Sequence, residues 1–426
     1  MEASIGVELP TKDSHGPYMT DVLAYHWATF ILKEQCELLQ LLLLYYKDIE
    51  PTISDVQKML LLFQDHGFGL RQSFHMSTLE GTQPFVNLIG FLESFVIVQC
   101  FELDWFYKCK ESQMIGEHYL LKDMQALKML NDSILNLGSN QSHAPILLAW
   151  LAIAQGSEVP DMMMHCNKLG KLALHLGVFE YLVTALSAFS EKTVVSEVAN
   201  GVVYSLLSAV LSEFDLQHLG SIRTLCTIAC AVLQFPSVAD NFWKRGTESG
   251  TGELFNYCME MFAIEFCPFL NICASLARAS EDSCLKVIER IKCLPVFTEY
   301  LENVDERDII ATQEPCVWQS IKSKPVYGDN SLLIPEGTFG AVVKDADKNG
   351  ASIIQWKVTV NGWQICLREL HIKLQEMSFS LAFPAPESVQ RIEAVGTLVL
   401  NILKTNSEMR FHLSHLINVL FSIFQR

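Results

Sequence analysis

Residues 194–213 read VVSEVANGVVYSLLSAVLSE, and the placement of their apolar side chains decides the fold class. Val194, Val198, Val202, Leu206 and Val210 recur at every fourth position, which stacks them on one face of a helix that turns once in about 3.6 residues. Outward from this stretch the same pattern repeats. Between residue 20 and about residue 301, helical stretches of roughly 12 to 25 residues alternate with short polar breaks, about a dozen in all, with no strand signal among them. In the first of them Leu23, Trp27, Phe30, Ile31, Leu38, Leu41, Leu42 and Tyr45 line one face. Helix ends leave backbone groups unpaired, and the breaks hold residues that satisfy them. Ser54 with Gln57 fits a capping box, and Ser280 followed by Glu281 and Asp282 places negative charge at a helix start. Gly138, Gly156, Gly177 and Gly246 are expected stops.

The character changes between residues 314 and 370. Pro315, Pro325, Gly328, Pro335, Gly337 and Gly340 break any helix, while residues 338–343, 352–360 and 363–367 are rich in β-branched and aromatic side chains. Asn349-Gly350 and Asn361-Gly362 separate these runs, and Asn-Gly suits the tight hairpin turn in which both residues take positive φ. The pattern predicts a meander of short strands of the size of a small SH3-like barrel, after which helical spacing resumes at Pro386. The expected architecture is an all-α irregular HEAT/ARM-like solenoid with a small inserted SH3-like β-barrel. Its expected parts are an N-terminal extension (1–19), a helical solenoid (20–313), the β insertion (314–375) and a resumed solenoid (376–426).

Composition agrees and excludes several functions. The chain has 426 residues, more than one hydrophobic core supports, so it reads as several domains or stacked units. Half its residues are apolar and 19% are charged, which leaves no long disordered tract. A net charge of −17 with no Lys/Arg cluster repels a phosphate backbone, so nucleic acid is not an expected partner. The first residues carry Glu2 and Glu8 and are broken by Gly6, Pro10 and Gly16, which does not read as a secretory signal; a soluble, unsecreted protein is expected. Residues 38–46 are too short to cross a membrane, and 85–101 are interrupted by Asn87, Glu93 and Gln99. Both read as buried helices, without direct membrane insertion. The 13 cysteines lie scattered in apolar stretches, as core residues do in a reducing compartment. Cys226 and Cys230 stand one turn apart with no histidine nearby to complete a metal set. The sequons at Asn131 and Asn140 then carry no weight.

Candidate sites each have a structural reading beside the functional one. Asp345, Asp347, Asn349 and Gly350 imitate the opening of a calcium-binding loop, but the twelfth position is Trp356, not a glutamate, and the hairpin reading prevails. His143 and Pro145 open an apolar helix for which Ser142 is the expected cap. Trp356 and Trp363 could receive a proline-rich peptide, or could be interior rings of the small barrel. Glu302, Asp305, Glu306 and Asp308 read as a solvated acidic run, and His412 and His415 have no carboxylate beside them. The last helix carries Phe411, Leu413, Leu416, Ile417, Val419, Leu420, Phe421, Ile423 and Phe424 almost all round, so neighbours are expected on several sides. Phe411, Phe421 and Phe424 thereby join Trp356 and Trp363 as candidate protein contacts, and either a fragment or short isoform of a longer protein, or another chain covering this end, is expected. No phosphate loop, nucleophile elbow, zinc-protease motif or dinucleotide fingerprint is present. No catalytic residue, cofactor, metal or small-molecule substrate is expected.

Residues 142–150 (SHAPILLAW), 314–320 (EPCVWQS), 334–343 (IPEGTFGAVV) and 356–363 (WKVTVNGW) together resemble the nucleoporin 188 family, large α-solenoid scaffolds of the nuclear pore inner ring. The resemblance implies an SH3-like domain inserted into the helical stack where the strand signals fall. It also implies other inner-ring nucleoporins as partners, a place in the nuclear pore complex at the nuclear envelope, and a structural role in nucleocytoplasmic transport. It covers an internal N-terminal-half portion of the family's length, without the C-terminal solenoid that engages a helix of the inner-ring linker. The competing reading is a soluble HEAT-like transport receptor or cargo-binding adaptor, since acidic helical stacks also carry basic cargo. The Trp-x-x-x-Asn ladder of one receptor class is absent.

Overall fold

The computed structural model describes residues 13, 16, 18–72, 81–301, 309–326, 329–344, 352–379 and 385–425. The residues form two compact units, Met1–Val238 and Ala239–Arg426.

The first unit is helical throughout its described residues. Its longer helices are α1 (Asp21–Asp48), α2 (Ile53–Asp65), α3 (Gln83–Cys100), α4 (Leu103–Glu111), α5 (Met124–Leu135), α6 (Ala144–Ser157), α7 (Cys166–His175), α8 (Val178–Ala188), α9 (Val194–Glu213) and α10 (Ile222–Leu233). Helices α3, α6 and α9 touch one another and form the centre of the unit. Their burial is nearly continuous: residues 144–154 of α6 and residues 89–98 of α3 are all buried. Such helices are apolar all round because they have neighbours on every side. By length and composition, residues Gln83–Glu111 and Val194–Glu213 could each cross a membrane, yet 72% of each apolar window is buried inside the chain. Trp150 is fully buried on α6, its indole N–H donating to Asn131 Oδ1 of α5 at 2.9 Å and its ring 5.3 Å from that of Phe101. Helix α1 packs on α3 and also on α9, more than 140 residues further along the chain, so contacts here are not confined to sequence neighbours.

Several local expectations shift. The capping box of α2 is Thr52 with Asp55, two residues before the pair read from the sequence. Thr52 suits the role because its extended backbone lets the hydroxyl accept from the Asp55 N–H. Ser142 is not the cap of α6: a 3₁₀ turn (Gln141–His143) precedes that helix, and Asn140 caps the turn. Gly177 and Gly246 follow helices with positive φ as stops do, whereas Gly156 sits inside α6, where Glu158 is the left-handed end residue. The apolar face read on α1 is largely its outer face. The buried stripe is Ala28, Ile31, Leu32, Gln35, Cys36, Leu39 and Leu43, while Leu23, Trp27, Phe30, Leu41 and Tyr45 are exposed.

In the second unit, α11 (Pro236–Arg245, whose first residues belong to the first unit) leads to α12 (Thr251–Glu260), α13 (Phe266–Ala279) and α14 (Glu281–Lys292). Ser280 caps α14 through its hydroxyl, with Glu281 and Asp282 in the first turn as expected. Among the described residues seven strands follow: β1 (Phe297–Leu301), β2 (Ile309–Ala311), β3 (Val317–Ser320), β4 (Lys324–Val326), β5 (Asp329–Ile334), β6 (Phe339–Lys344) and β7 (Ser352–Trp356). Helices α15 (Gly362–Phe379), α16 (Pro386–Thr405) and α17 (Ser414–Phe424) complete the unit. Helix α16 lies against α13, and Asn401 donates to the Ala274 carbonyl at 2.9 Å, so the helical layer continues across the intervening strands. Phe242, Phe255, Phe262, Phe266 and Phe269 form an aromatic cluster in this layer.

The strands make a five-stranded antiparallel sheet in the order β1-β7-β6-β3-β2, with β4 and β5 as a separate ribbon. Among the described residues β1 and β2 are free edges, so the sheet is open and the expected closed barrel is not formed. Strand structure begins at Phe297, earlier than the sequence signals indicated, and residues 363–367, expected as strand, are the first turns of α15. Asn361 explains the second difference. Its side-chain oxygen accepts from the Trp363 N–H at 3.0 Å, so the Asn-Gly pair starts a helix rather than a hairpin. Strands β6 and β7 do pair as an antiparallel hairpin, whose turn at Asn349-Gly350 lies outside the described residues. Gly340 faces Trp356 across that pair, and a Cβ there would come within 2.7 Å of Ile354 and 2.8 Å of Trp356. Only glycine fits beneath the ring.

Candidate interaction surfaces

Trp356 is fully buried, so it cannot receive a peptide; of the two readings the interior one holds. Its indole N–H donates to Glu299 Oε1 at 2.8 Å, and the Lys324 ammonium pairs with both oxygens of the same carboxylate at 2.8 Å. This triad ties β7 to β1 and to the β4–β5 ribbon. Thr298 on β1 donates to the Glu260 carbonyl, which anchors the sheet edge on α12. Trp363 is half-buried and donates to the Ile288 carbonyl at 3.3 Å, joining α15 to α14. Trp356 therefore offers no ring face of the kind a proline-rich ligand needs.

The three C-terminal phenylalanines are placed differently. Helix α17 buries Leu416, Leu420 and Ile423 toward the unit, with Leu413 just ahead of it, and leaves Phe421 and Phe424 outside; Phe411, in the preceding turn, is 85% exposed. They are the candidate contact residues that the fold leaves accessible. His412 and His415 are exposed. The calcium-loop residues Asp345, Asp347, Asn349 and Gly350 and the acidic run of Glu302, Asp305, Glu306 and Asp308 lie outside the described residues. Among the described residues no His, Cys, Asp and Glu side chains gather as a metal site. Cys226 is buried and Cys230 half-buried.

One titratable cluster was not legible in the sequence. Glu93, in the apolar middle of α3, meets His66 Nδ1 at 2.7 Å, with both side chains fully buried. Gln72 bridges His66 and Gln35: its amide nitrogen lies 2.9 Å from His66 Nε2 and 3.2 Å from Gln35 Oε1. Burial pushes the Glu93 carboxyl up to about 7, opposed by the hydrogen bond and charge of His66. Glu93 Oε2 has no hydrogen-bond partner among the described residues. The cluster fastens α1, the end of α2 and α3 together; it is closed to solvent, so no substrate reaches it. His118 is likewise buried, its ring 5.4 Å from Phe106 and 5.0 Å from Tyr119, and burial pushes it down to about 4. It is a neutral core ring.

Among the described residues, the accessible candidates therefore lie on exposed faces. The family profile described as nucleoporin Nup188, N-terminal, matches residues 19–303. The chain belongs to the Nup188 family. Human nucleoporin NUP188 is 26% identical over 424 residues, covering 98% of this chain, and the Xenopus tropicalis protein is 25% identical over 425 residues. Drosophila melanogaster Nup188 is 21% identical over 381 residues, 86% of this chain. The chain spans 24% of the length of its human and frog relatives, so it aligns with about a quarter of a Nup188 protein. The profile stops at the end of β1, whereas the vertebrate alignments run on through the strands and α15–α17.

Proposed function

We propose that this chain is a structural scaffold component of the nuclear pore complex at the nuclear envelope. It supports nucleocytoplasmic transport by holding other nucleoporins in place and performs no catalysis. Family membership carries the proposal, and exposed apolar side chains such as those at Phe411, Phe421 and Phe424 are consistent with it. In the finer reading the helices stack as an irregular HEAT/ARM-like solenoid, and the strands between α14 and α15 are an SH3-like insertion. The direct packing of α13 on α16 around that insertion supports this reading. The partners are other inner-ring nucleoporins, and Phe411, Phe421 and Phe424 are contact residues for them. Tagged chain expressed in cells should collect at the nuclear rim and co-purify inner-ring nucleoporins. Diffuse signal together with recovery of chaperones alone would overturn the proposal.

A further inference from the structure

We propose that α7 and the cleft beside it are a docking site for an acidic peptide segment, whose carboxylates lie along Lys168 and Lys171 and whose one large apolar side chain enters the cleft. Helix α7 lies against α6 and buries Leu169 and Ala173, which leaves Lys168, Lys171 and His175 exposed. From Met162 to Phe179 the sequence carries no Asp or Glu, so α7 is a basic island in a chain of net charge −17. Among the described residues neither ammonium group has an ion-pair partner. Steps of three and four residues put Lys168, Lys171 and His175 on one side of the helix. At 1.5 Å per residue they span about 10 Å along its axis.

A cleft of about 920 Å³ adjoins this strip at His175, which borders both. It lies between the start of α3, the turn before α6 and the start of α8. Leu70, Phe91 and Leu176 give it apolar walls, and Asn87, Gln141 and Thr184 give it hydrogen-bonding groups. Leu70 is 59% exposed, so the apolar wall is open to a ligand.

Charge and shape together select the occupant. Two unpaired ammonium groups favour carboxylates and fix the register of a ligand that carries them. They are too few to hold a nucleic-acid backbone against the charge of the whole chain. An anionic lipid surface is held by larger basic clusters, and being flat it leaves a recessed cleft unfilled. Of the residues lining the cleft Glu180 alone is acidic, and it repels carboxylates on its own side, so the acidic run points along α7. An extended segment covers the strip with about three residues at ~3.3 Å each. The ligand is therefore a large apolar residue followed closely by Asp or Glu, the apolar group supplying affinity and the carboxylates specificity.

The test uses the whole chain and short labelled peptides of equal length that carry one phenylalanine beside a run of glutamates, made in both chain directions. Control peptides replace the glutamates with lysines, or the phenylalanine with serine. Fluorescence anisotropy should show the better glutamate peptide binding at least tenfold more tightly than its lysine counterpart, with that preference reduced at high salt. Serine in place of phenylalanine should weaken binding tenfold or more. The double variant Lys168→Glu, Lys171→Glu should reverse the preference toward the lysine peptide, a gain that misfolding cannot imitate. Thr184→Trp, which fills the cleft from an exposed position, should make the phenylalanine and serine peptides bind alike with an unchanged circular dichroism spectrum. Equal binding of glutamate and lysine peptides, or a preference indifferent to the double variant, would overturn the proposal. So would adsorption to vesicles of anionic phospholipid without binding of either peptide, since a lipid headgroup would then be the ligand.

Discussion

Helices α1 and α3 lie against each other in the first unit, are both rich in large apolar side chains, and use them in opposite ways. Helix α3 buries nearly everything it carries, including the carboxylate of Glu93. Helix α1 buries a stripe that contains Gln35, Ala28 and Cys36 and leaves Phe30, Trp27 and Leu41 in solvent. Apolarity alone therefore does not say which side of a helix is inside; the number and position of its neighbours do. The two helices also hold charge differently. Glutamates in the outer stripe of α1 are exposed, whereas the glutamate within α3 is fully buried and is accompanied by His66.

The largest effect should follow from breaking that pairing. At pH 8, above the raised Glu93 value of about 7, His66→Ala leaves the buried carboxylate without its partner, and an uncompensated buried charge costs about 3 to 5 kcal/mol. Urea unfolding followed by tryptophan fluorescence should show the midpoint fall sharply, and Glu93→Gln combined with His66→Ala should recover part of the loss. A single-variant midpoint within error of the wild type would mean that the pair is not closed to solvent.

A pH series sharpens the same contrast with a smaller effect. The Glu93 carboxyl is raised from its usual 4.5 to about 7 by burial, so the folded chain holds this proton where the unfolded chain has released it. The stabilisation is fully present below pH 4.5 and is lost as pH rises toward 7, because there the unfolded state binds fewer protons. Wild type should therefore lose on the order of 1 to 3 kcal/mol relative to Glu93→Gln between pH 5 and pH 8. Parallel stability curves for the two proteins would place Glu93 in a wetter site.

What could be read in advance follows the same physics. Helices were legible because periodicity is local, and the ends at Ser280, Gly177 and Gly246 were legible because caps are local too. The strand region was legible as a change of composition. Its edges were not: residues 363–367 have strand-like side chains, but the cap from Asn361 and the bond from Trp363 to Ile288 make them helical. The interior place of Trp356 depends on Gly340 and on Glu299 across two strand pairings, and strand pairing is not written in spacing. Glu93 was visible as an interruption in an apolar run, yet its partner lies 27 residues away, behind a turn. Of the five candidate contacts, the three phenylalanines remain accessible because α17 has neighbours on one side only among the described residues.

The smallest effect is expected on the outer face of α1, and a variant of its inner face supplies the contrast. Leu39→Ala, on the buried stripe, removes side-chain volume from a packed site and should cost about 2 to 5 kcal/mol. Phe30→Ala removes a larger side chain nine residues earlier and should leave stability within about 0.5 kcal/mol of the wild type, since its ring touches water in both states. The same urea titration reads both. If Phe30→Ala proves as costly as Leu39→Ala, the Phe30 ring is packed within this chain. If it is silent while the inner variant is not, the large apolar side chains on that face contribute nothing to folding.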